Sequence, residues 1–207
     1  MAHVTEVGGL KLSRLGPTCI RIEGTRTIYT DPTGITGSLP DADLILCTHY
    51  SDPELPDHDL QTLIDSSTCV LRPLAVPTPS PNGNNTFLTP GDTWNLDKLH
   101  VQAIPAYNPQ KEESPTSTRL GYHLKLDGQS IYYGGATACI PEMFRIQCTI
   151  AFLPISGPGC MDPQEAAEAT GRLRPRYAIP LHYGATGPTQ EMAKEFANLI
   201  RCKAVLL

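Results

Sequence analysis

The sequence lacks any apolar run of 18 residues, and a membrane-spanning helix needs roughly 20. Between Met1 and Leu10 there is no basic start followed by an apolar stretch, so no secretory leader is read there. Positive charge is scarce. Sixteen Lys and Arg stand against 21 Asp and Glu, a formal net charge of -5, with a pI near 5.6. That balance argues against a nucleic-acid or anionic-membrane partner, either of which favours a basic face. The one small basic cluster, Arg172, Arg174 and Arg176, reads as a solvated helix end. There is no C-x-x-C pair, no G-x-S-x-G elbow, no P-loop and no Rossmann glycine pattern. The seven cysteines (19, 47, 69, 139, 148, 160 and 202) are odd in number and irregular in spacing. The expectation is reduced thiols in a cytoplasmic protein. Cys19, Cys47 and Cys69 lie in apolar text and read as small hydrophobes. No Ser or Cys is assignable as a nucleophile.

What is present fits one large domain, 1–207, with 40% apolar residues to fill a core. Leu10–Leu15, Cys19–Glu23 and Thr27–Thr30 read as short strands of an antiparallel meander. Asp43–Thr48 is a continuous apolar run, as in a strand covered on both faces. Pro56–Ile64 looks helical, and Cys69–Arg72 reads as a strand. Residues 73–95, rich in Pro, Asn, Gly and Thr, read as a loop with one embedded strand near Thr86–Leu88. A strand over Leu99–Pro105 is followed by a Pro/Ser/Thr-rich stretch, Pro109–Thr118. Tyr122–Leu126 and Ser130–Tyr133 flank Asp127-Gly128, a hairpin turn pair. Thr149–Leu153 is a second buried-strand run. Asp162-Pro163-Gln164-Glu165 opens a helix to about Leu173, with an N-cap, Pro at the first position and Glu three after the cap. Tyr177–Pro180 is a strand, Pro188–Ile200 an amphipathic helix and Ala204–Leu206 a closing strand. Meanders followed by β-α-β-α-β units suit two sheets face to face with helices outside, an α/β four-layer sandwich.

In layered α/β folds, polar residues at strand ends are where sites form. Three such places stand out: Thr48 to Pro53, Tyr133 to Thr137 and Pro180 to Gly184. His49, Asp52 and His182 are therefore candidate ligands or acid/base groups. Each also reads as a capping or core polar residue, and both readings stay open. Cys47 lies near His49, but strand alternation points neighbours to opposite faces, so it reads as core.

Several segments, in order, resemble the small single-domain branch of the metallo-β-lactamase-fold hydrolases, a group of zinc-dependent and lactonase-like members. They are Ile28 to Pro32, Leu44 to Pro53, Ile104 to Asn108, Gly121-Tyr122, Ile131 to Met143, Phe152 to Ile155, Met161 to Ala167 and Ile179 to Gly184. The resemblance implies a four-layer αββα sandwich of the metallo-β-lactamase type. It also implies seven ligand positions for two metals. His49, Asp52 and His182 match three of them. The other four carry Ser51, Pro53, Ser114 and Ala136. Zinc sites take three or four N, O or S ligands, and Pro and Ala supply no side-chain donor. What remains is at most one weakly held divalent ion, zinc by type, on Asp52 and His182 with His49 from the other half-site.

The resemblance then implies a member that has lost most di-metal ligands: a pseudoenzyme or binding module holding a small-molecule ligand in the old cleft. Tyr107, Asn108 and Tyr183 would line that cleft. The alternative is a divergent enzyme using His49, Asp52 and His182 without metal or with a single ion. An ordinary zinc hydrolase would require a substitute ligand such as His58.

Overall fold

Gly8 and Gly9, both at positive φ, turn Val4–Val7 (β1) back onto Leu10–Arg14 (β2). That hairpin starts the first sheet. Ile20–Glu23 (β3) and Thr27–Thr30 (β4) extend it antiparallel; Leu44–Leu46 (β5), Cys69–Pro73 (β6) and Asn84–Leu88 (β7) then add in parallel to β4. The computed structural model describes residues 4–49, 58–74, 84–115, 119–184 and 187–207. Within these, His58–Gln61 forms a short helix (α1) between β5 and β6.

The second half builds a second sheet by the same plan. Thr93–Leu96 (β8), Leu99–Pro105 (β9), Leu120–Leu126 (β10) and Gln129–Tyr133 (β11) run antiparallel. Ile150–Pro154 (β12), Tyr177–Leu181 (β13) and Lys203–Ala204 (β14) follow in parallel. Pro163–Leu173 (α2) and Gly187–Leu199 (α3) make the crossovers. Each sheet has its strands in sequence order.

Three apolar layers hold these elements. Leu12, Ile22, Leu44, Leu46, Tyr122 and Phe152 belong to the layer between the sheets. Tyr132, Ala151, Leu153, Ala166, Leu173 and Phe196 pack α2 and α3 onto the second sheet. Tyr29, Ile45, Val70, Leu60 and Leu63 close the outer face of the first. Alternation explains the partition: Leu44 and Leu46 face the inner layer while Ile45 faces the outer one. Helix–sheet–sheet–helix is the α/β four-layer arrangement that the element order suggested.

Most strands lie where the apolar runs place them. The Asp127-Gly128 turn has positive φ at both residues, 49° and 77°, as a hairpin pair should. The capping box at Asp162 is formed, with Glu165 N donating to Asp162 Oδ1 at 2.8 Å and Asp162 N donating to Glu165 Oε2 at 3.1 Å. Two strands escaped the sequence reading. β1 is short and outward-facing, with Val4 exposed. β8 sits in the polar 73–95 stretch and is held as an edge by pairing with β9. The helix expected over Pro56–Ile64 is four residues long where described, His58–Gln61; residues 50–57 lie outside the described set.

The energetic ranking of these features is testable. Phe152 is fully buried against Tyr133, ring centroids 5.8 Å apart, so Phe152→Ala should cost about 3–5 kcal/mol. Asp162→Ala removes only a cap and should cost about 1 kcal/mol. Urea unfolding midpoints for the two variants check the order.

Candidate functional site

Parallel strands end at one edge of the sandwich, and the antiparallel partners bring further chain ends there. Asp31 follows β4, Thr48 and His49 lie just beyond β5, and His182 follows β13. β11 pairs with β10 through Tyr133 opposite Tyr122, so the Gly134–Ala136 turn follows at the same edge. Leu120 N donates to Thr48 O at 2.7 Å and ties the start of β10, in the second sheet, to the end of β5, in the first.

Thr48 is fixed from every side. Its N–H donates to Asp31 Oδ1 at 2.7 Å, and its hydroxyl donates to Asp31 Oδ2 at 2.8 Å. The Tyr122 hydroxyl donates to the neighbouring Cys47 carbonyl at 2.7 Å. Gly135, at φ 62°, lies directly over the Thr48 side chain; a Cβ there would stand 2.8 Å from Thr48 Cβ. Only glycine suits that close approach in that conformation.

Thr48 in turn orients His49, whose Nδ1 lies 2.9 Å from the hydroxyl. A threonine hydroxyl has one proton, and here it points to Asp31. His49 Nδ1 is then the donor in this contact, an assignment that follows from the single hydroxyl proton. Asp31 is 8% exposed, and burial pushes its carboxyl above the usual range, against the opposing pull of His49 and the Thr48 donors. Asp31 and Thr48 were not read from the sequence as site residues. The available signal was the Asp-Pro after β4, noted only as part of a family pattern.

His182 follows β13 at φ 61°, a conformation unusual for a residue with a side chain. Its backbone N–H donates to Pro17 O at 3.0 Å, which fixes it to the loop between β2 and β3. Burial, His49 and Arg14 together lower its pKa to about 4, so the imidazole is neutral at neutral pH. Its Nδ1 lies 3.7 Å from the Cys160 sulfur. Arg14 is committed to backbone. It donates to Gly16 O at 3.1 Å and to Tyr183 O, and it stacks 4.0 Å above the Tyr183 ring.

The structure therefore brings His49 and His182 into one electrostatic neighbourhood. Asp52 lies outside the described residues. The three expected lining residues have polar atoms engaged with protein. Tyr107 donates its hydroxyl to Glu142 at 3.0 Å, Asn108 Oδ1 caps Gln110 N at 2.9 Å, and Tyr183 donates its hydroxyl to Leu207 O at 2.7 Å. Cys47 is half-buried and packs against the outer apolar layer, in keeping with a core role. Ala136 is half-buried after Gly135, and Ser114 is exposed with a partner. Among the described residues, no three His, Cys, Asp or Glu side chains stand together as an ion cage. Cys160 was missed by the sequence reading; its signal was the Gly157-Pro158-Gly159 run just before the Asp162 cap.

The depressed pKa of His182 has a definite linkage sign. In the unfolded chain its imidazole takes a proton near pH 6.5, while the fold keeps it neutral down to about 4. The associated stability is fully present above about 6.5 and falls as pH drops through that window, by about 3 kcal/mol at most. Asn tolerates positive φ, so His182→Asn should retain the fold and lose less stability than the parent between about pH 7 and about pH 4.5. Equal losses in paired urea titrations would refute the assignment. A second variant, Thr48→Val, keeps volume but removes the hydroxyl between Asp31 and His49. It should cost about 1–3 kcal/mol by urea unfolding.

Comparison with known proteins agrees with this fold. Residues 11–182 match the family described as a Beta-lactamase superfamily domain. A UPF0173 metal-dependent hydrolase of Thermococcus kodakarensis is 27% identical over 211 residues, covering 94% of each chain. One from Pyrococcus furiosus is 28% identical over 216 residues, 96% of each. A crystal structure from Parabacteroides distasonis, assigned to the metal-dependent hydrolases, superposes with a TM-score of 0.78 at 25% identity, over 100% of this chain and 97% of that one. The metallo-β-lactamase fold protein YhfI of Bacillus subtilis shares the fold at a TM-score of 0.73 and 11% identity, over 92% and 88%. The chain belongs to the β-lactamase superfamily and has the metallo-β-lactamase fold.

Proposed function

We propose that this chain keeps the scaffold and cleft of the metal-dependent hydrolases but not their di-metal hydrolysis, and that the cleft binds a small-molecule ligand. The observation that carries this is donor chemistry. In the turn after β11, where the resemblance puts the family's bridging carboxylate, the residue is the half-buried Ala136. Ser114 is an exposed hydroxyl, and the sequence supplies Ser51 and Pro53 at two further positions. A zinc centre needs three or four N, O or S ligands, and hydroxyls are poor ones. The residues present do not fit two metals. His49, His182 and, from the sequence, Asp52 would give the cleft its polar groups, with Tyr107, Asn108 and Tyr183 lining it.

A second reading has support of its own. The His49 ring held by the Thr48 hydroxyl and the neutral His182 suit acid–base work without a metal, or with a single ion. Both readings leave the relatives' name, metal-dependent hydrolase, as the point of conflict, so metal content is the deciding measurement.

Protein purified untagged and without chelator should carry far less than stoichiometric zinc, iron or manganese. About one equivalent or more would overturn the first reading. The combined repair Ser51→His, Pro53→His, Ser114→His and Ala136→Asp should restore metal uptake. A repaired chain that folds and takes up none would refute the positional assignments.

A further inference from the structure

The residues around Cys160 form a constellation that the metal question leaves aside. Ser156 to Met161 is a closed turn: Cys160 N donates to Gly157 O at 2.7 Å, and Gly157 N donates to Met161 O at 3.1 Å. Met161 is fully buried, and its N–H donates to Thr137 O at 3.1 Å. Asp162 then caps α2. The thiol is thus held between two anchored points and is half-buried rather than sealed. Its sulfur lies 3.7 Å from His182 Nδ1, within reach of a thiol hydrogen bond.

A cation stands beside it. Gly159, at φ 97°, leaves room for Lys111: a Cβ on Gly159 would meet Lys111 Nζ at 3.0 Å. Lys111 makes no ion pair among the described residues, whereas the nearby Arg119 is paired with Glu113 at 3.1 Å. Nucleophile, imidazole and ammonium therefore converge from three elements: the turn after β12, the end of β13, and the 3₁₀ turn Pro109–Lys111. This is the nucleophile–base contact that covalent catalysis requires.

We propose that Cys160 and His182 form a thiol–imidazole pair that cleaves esters or thioesters of small acids bearing an anionic group, with Lys111 receiving the anion. The inference rests on the metal-free reading of the cleft and adds the nucleophile that reading lacks. In the first step the Cys160 S–H proton passes to His182 Nδ1 as sulfur bonds to the acyl carbon. The bond from that carbon to the leaving alcohol or thiol breaks, and the leaving group takes the proton from the imidazolium. In the second step water gives a proton to the same nitrogen and bonds to the thioester carbon. The carbon–sulfur bond breaks, sulfur regains the proton, and the free acid departs. No oxidant, reductant or metal is needed for the balance.

Burial raises the Cys160 thiol, partly offset by Ser156, Arg119 and Lys111, so the resting pair holds its proton on sulfur and the 3.7 Å contact with His182 Nδ1 is the route for its removal. Cys19 and Cys148 are buried, with thiols pushed to about 12.

The full chain, dialysed against EDTA, is mixed with p-nitrophenyl acetate and with the mono-p-nitrophenyl ester of succinate. Nitrophenolate release and intact protein mass are followed, and the acylated peptide is sequenced. The proposal requires an acyl adduct on Cys160 that is absent in Cys160→Ala and in the near-isosteric Cys160→Ser. His182→Asn should slow acylation about 100-fold near neutral pH. Lys111→Ala should reduce kcat/KM about fivefold more for the succinate ester than for the acetate. Acylation spread over other residues, or an undiminished rate in a folded Cys160→Ser chain, overturns it. If turnover instead appears only after zinc is restored, the metal-free reading fails with it. If neither condition gives a Cys160 adduct and the chain holds no metal, this proposal alone fails and the ligand-binding reading stands.

Discussion

The buried carboxylate of Asp31 is the constraint on which the working edge of the sandwich depends. A carboxylate at 8% exposure is costly unless donors surround it. Here the Thr48 N–H and hydroxyl both point at it, and the Tyr133 hydroxyl lies 3.3 Å away while donating to Thr18 O at 2.7 Å. Asp31 follows β4, Thr48 follows β5, and Tyr133 ends β11 in the other sheet. One side chain therefore fixes three chain ends across both sheets. Removing any of the three would leave a buried polar group unsatisfied, at about 1–3 kcal/mol. The position of His49 is a consequence, because its ring is held by the hydroxyl that Asp31 orients.

The remaining architecture supports this edge indirectly. Each half of the chain makes antiparallel strands and then parallel ones, and the parallel strands of a sheet end on the same side. Loops at that side are free to carry polar chemistry, because the apolar layers lie along the strand bodies. His182 shows how far such a loop can depart from ordinary geometry. It sits at φ 61°, a conformation costing on the order of 1–3 kcal/mol, and it stays there because Pro17 and the packed β13 hold it.

Nearly all of the framework was legible in the sequence, because period-2 runs, the Asp127-Gly128 turn and the Asp162 capping box are local signals. β1 and β8 escaped because both are short edge strands, and pairing with a neighbour rather than composition makes them strands. The site was legible only in part. His49 and His182 could be found as histidines at strand ends. Asp31 could not, since its role comes from polar partners 17 and 102 residues away. Cys160 could not either, because its partner His182 is 22 residues on and reaches it only through the β12–α2–β13 crossover. Contacts of that span are set by topology, and a linear reading has no access to them.

The same separation between framework and edge explains how a ligand set could change without loss of the fold. In many small metalloproteins the metal supplies folding free energy, and losing a ligand unfolds the chain. Here the large buried side chains, Tyr29, Tyr122, Tyr132, Tyr133, Phe152 and Phe196 among them, belong to the three apolar layers. Each such side chain contributes on the order of 2–3 kcal/mol, and none of the layers contains Ala136 or Ser114. Substitution at those positions leaves the layers intact. Asp31, Thr48 and Gly135 differ, since they join the edge to the framework, and change there would disturb both. The residues free to diverge without disturbing the fold are therefore those outside both the layers and this junction.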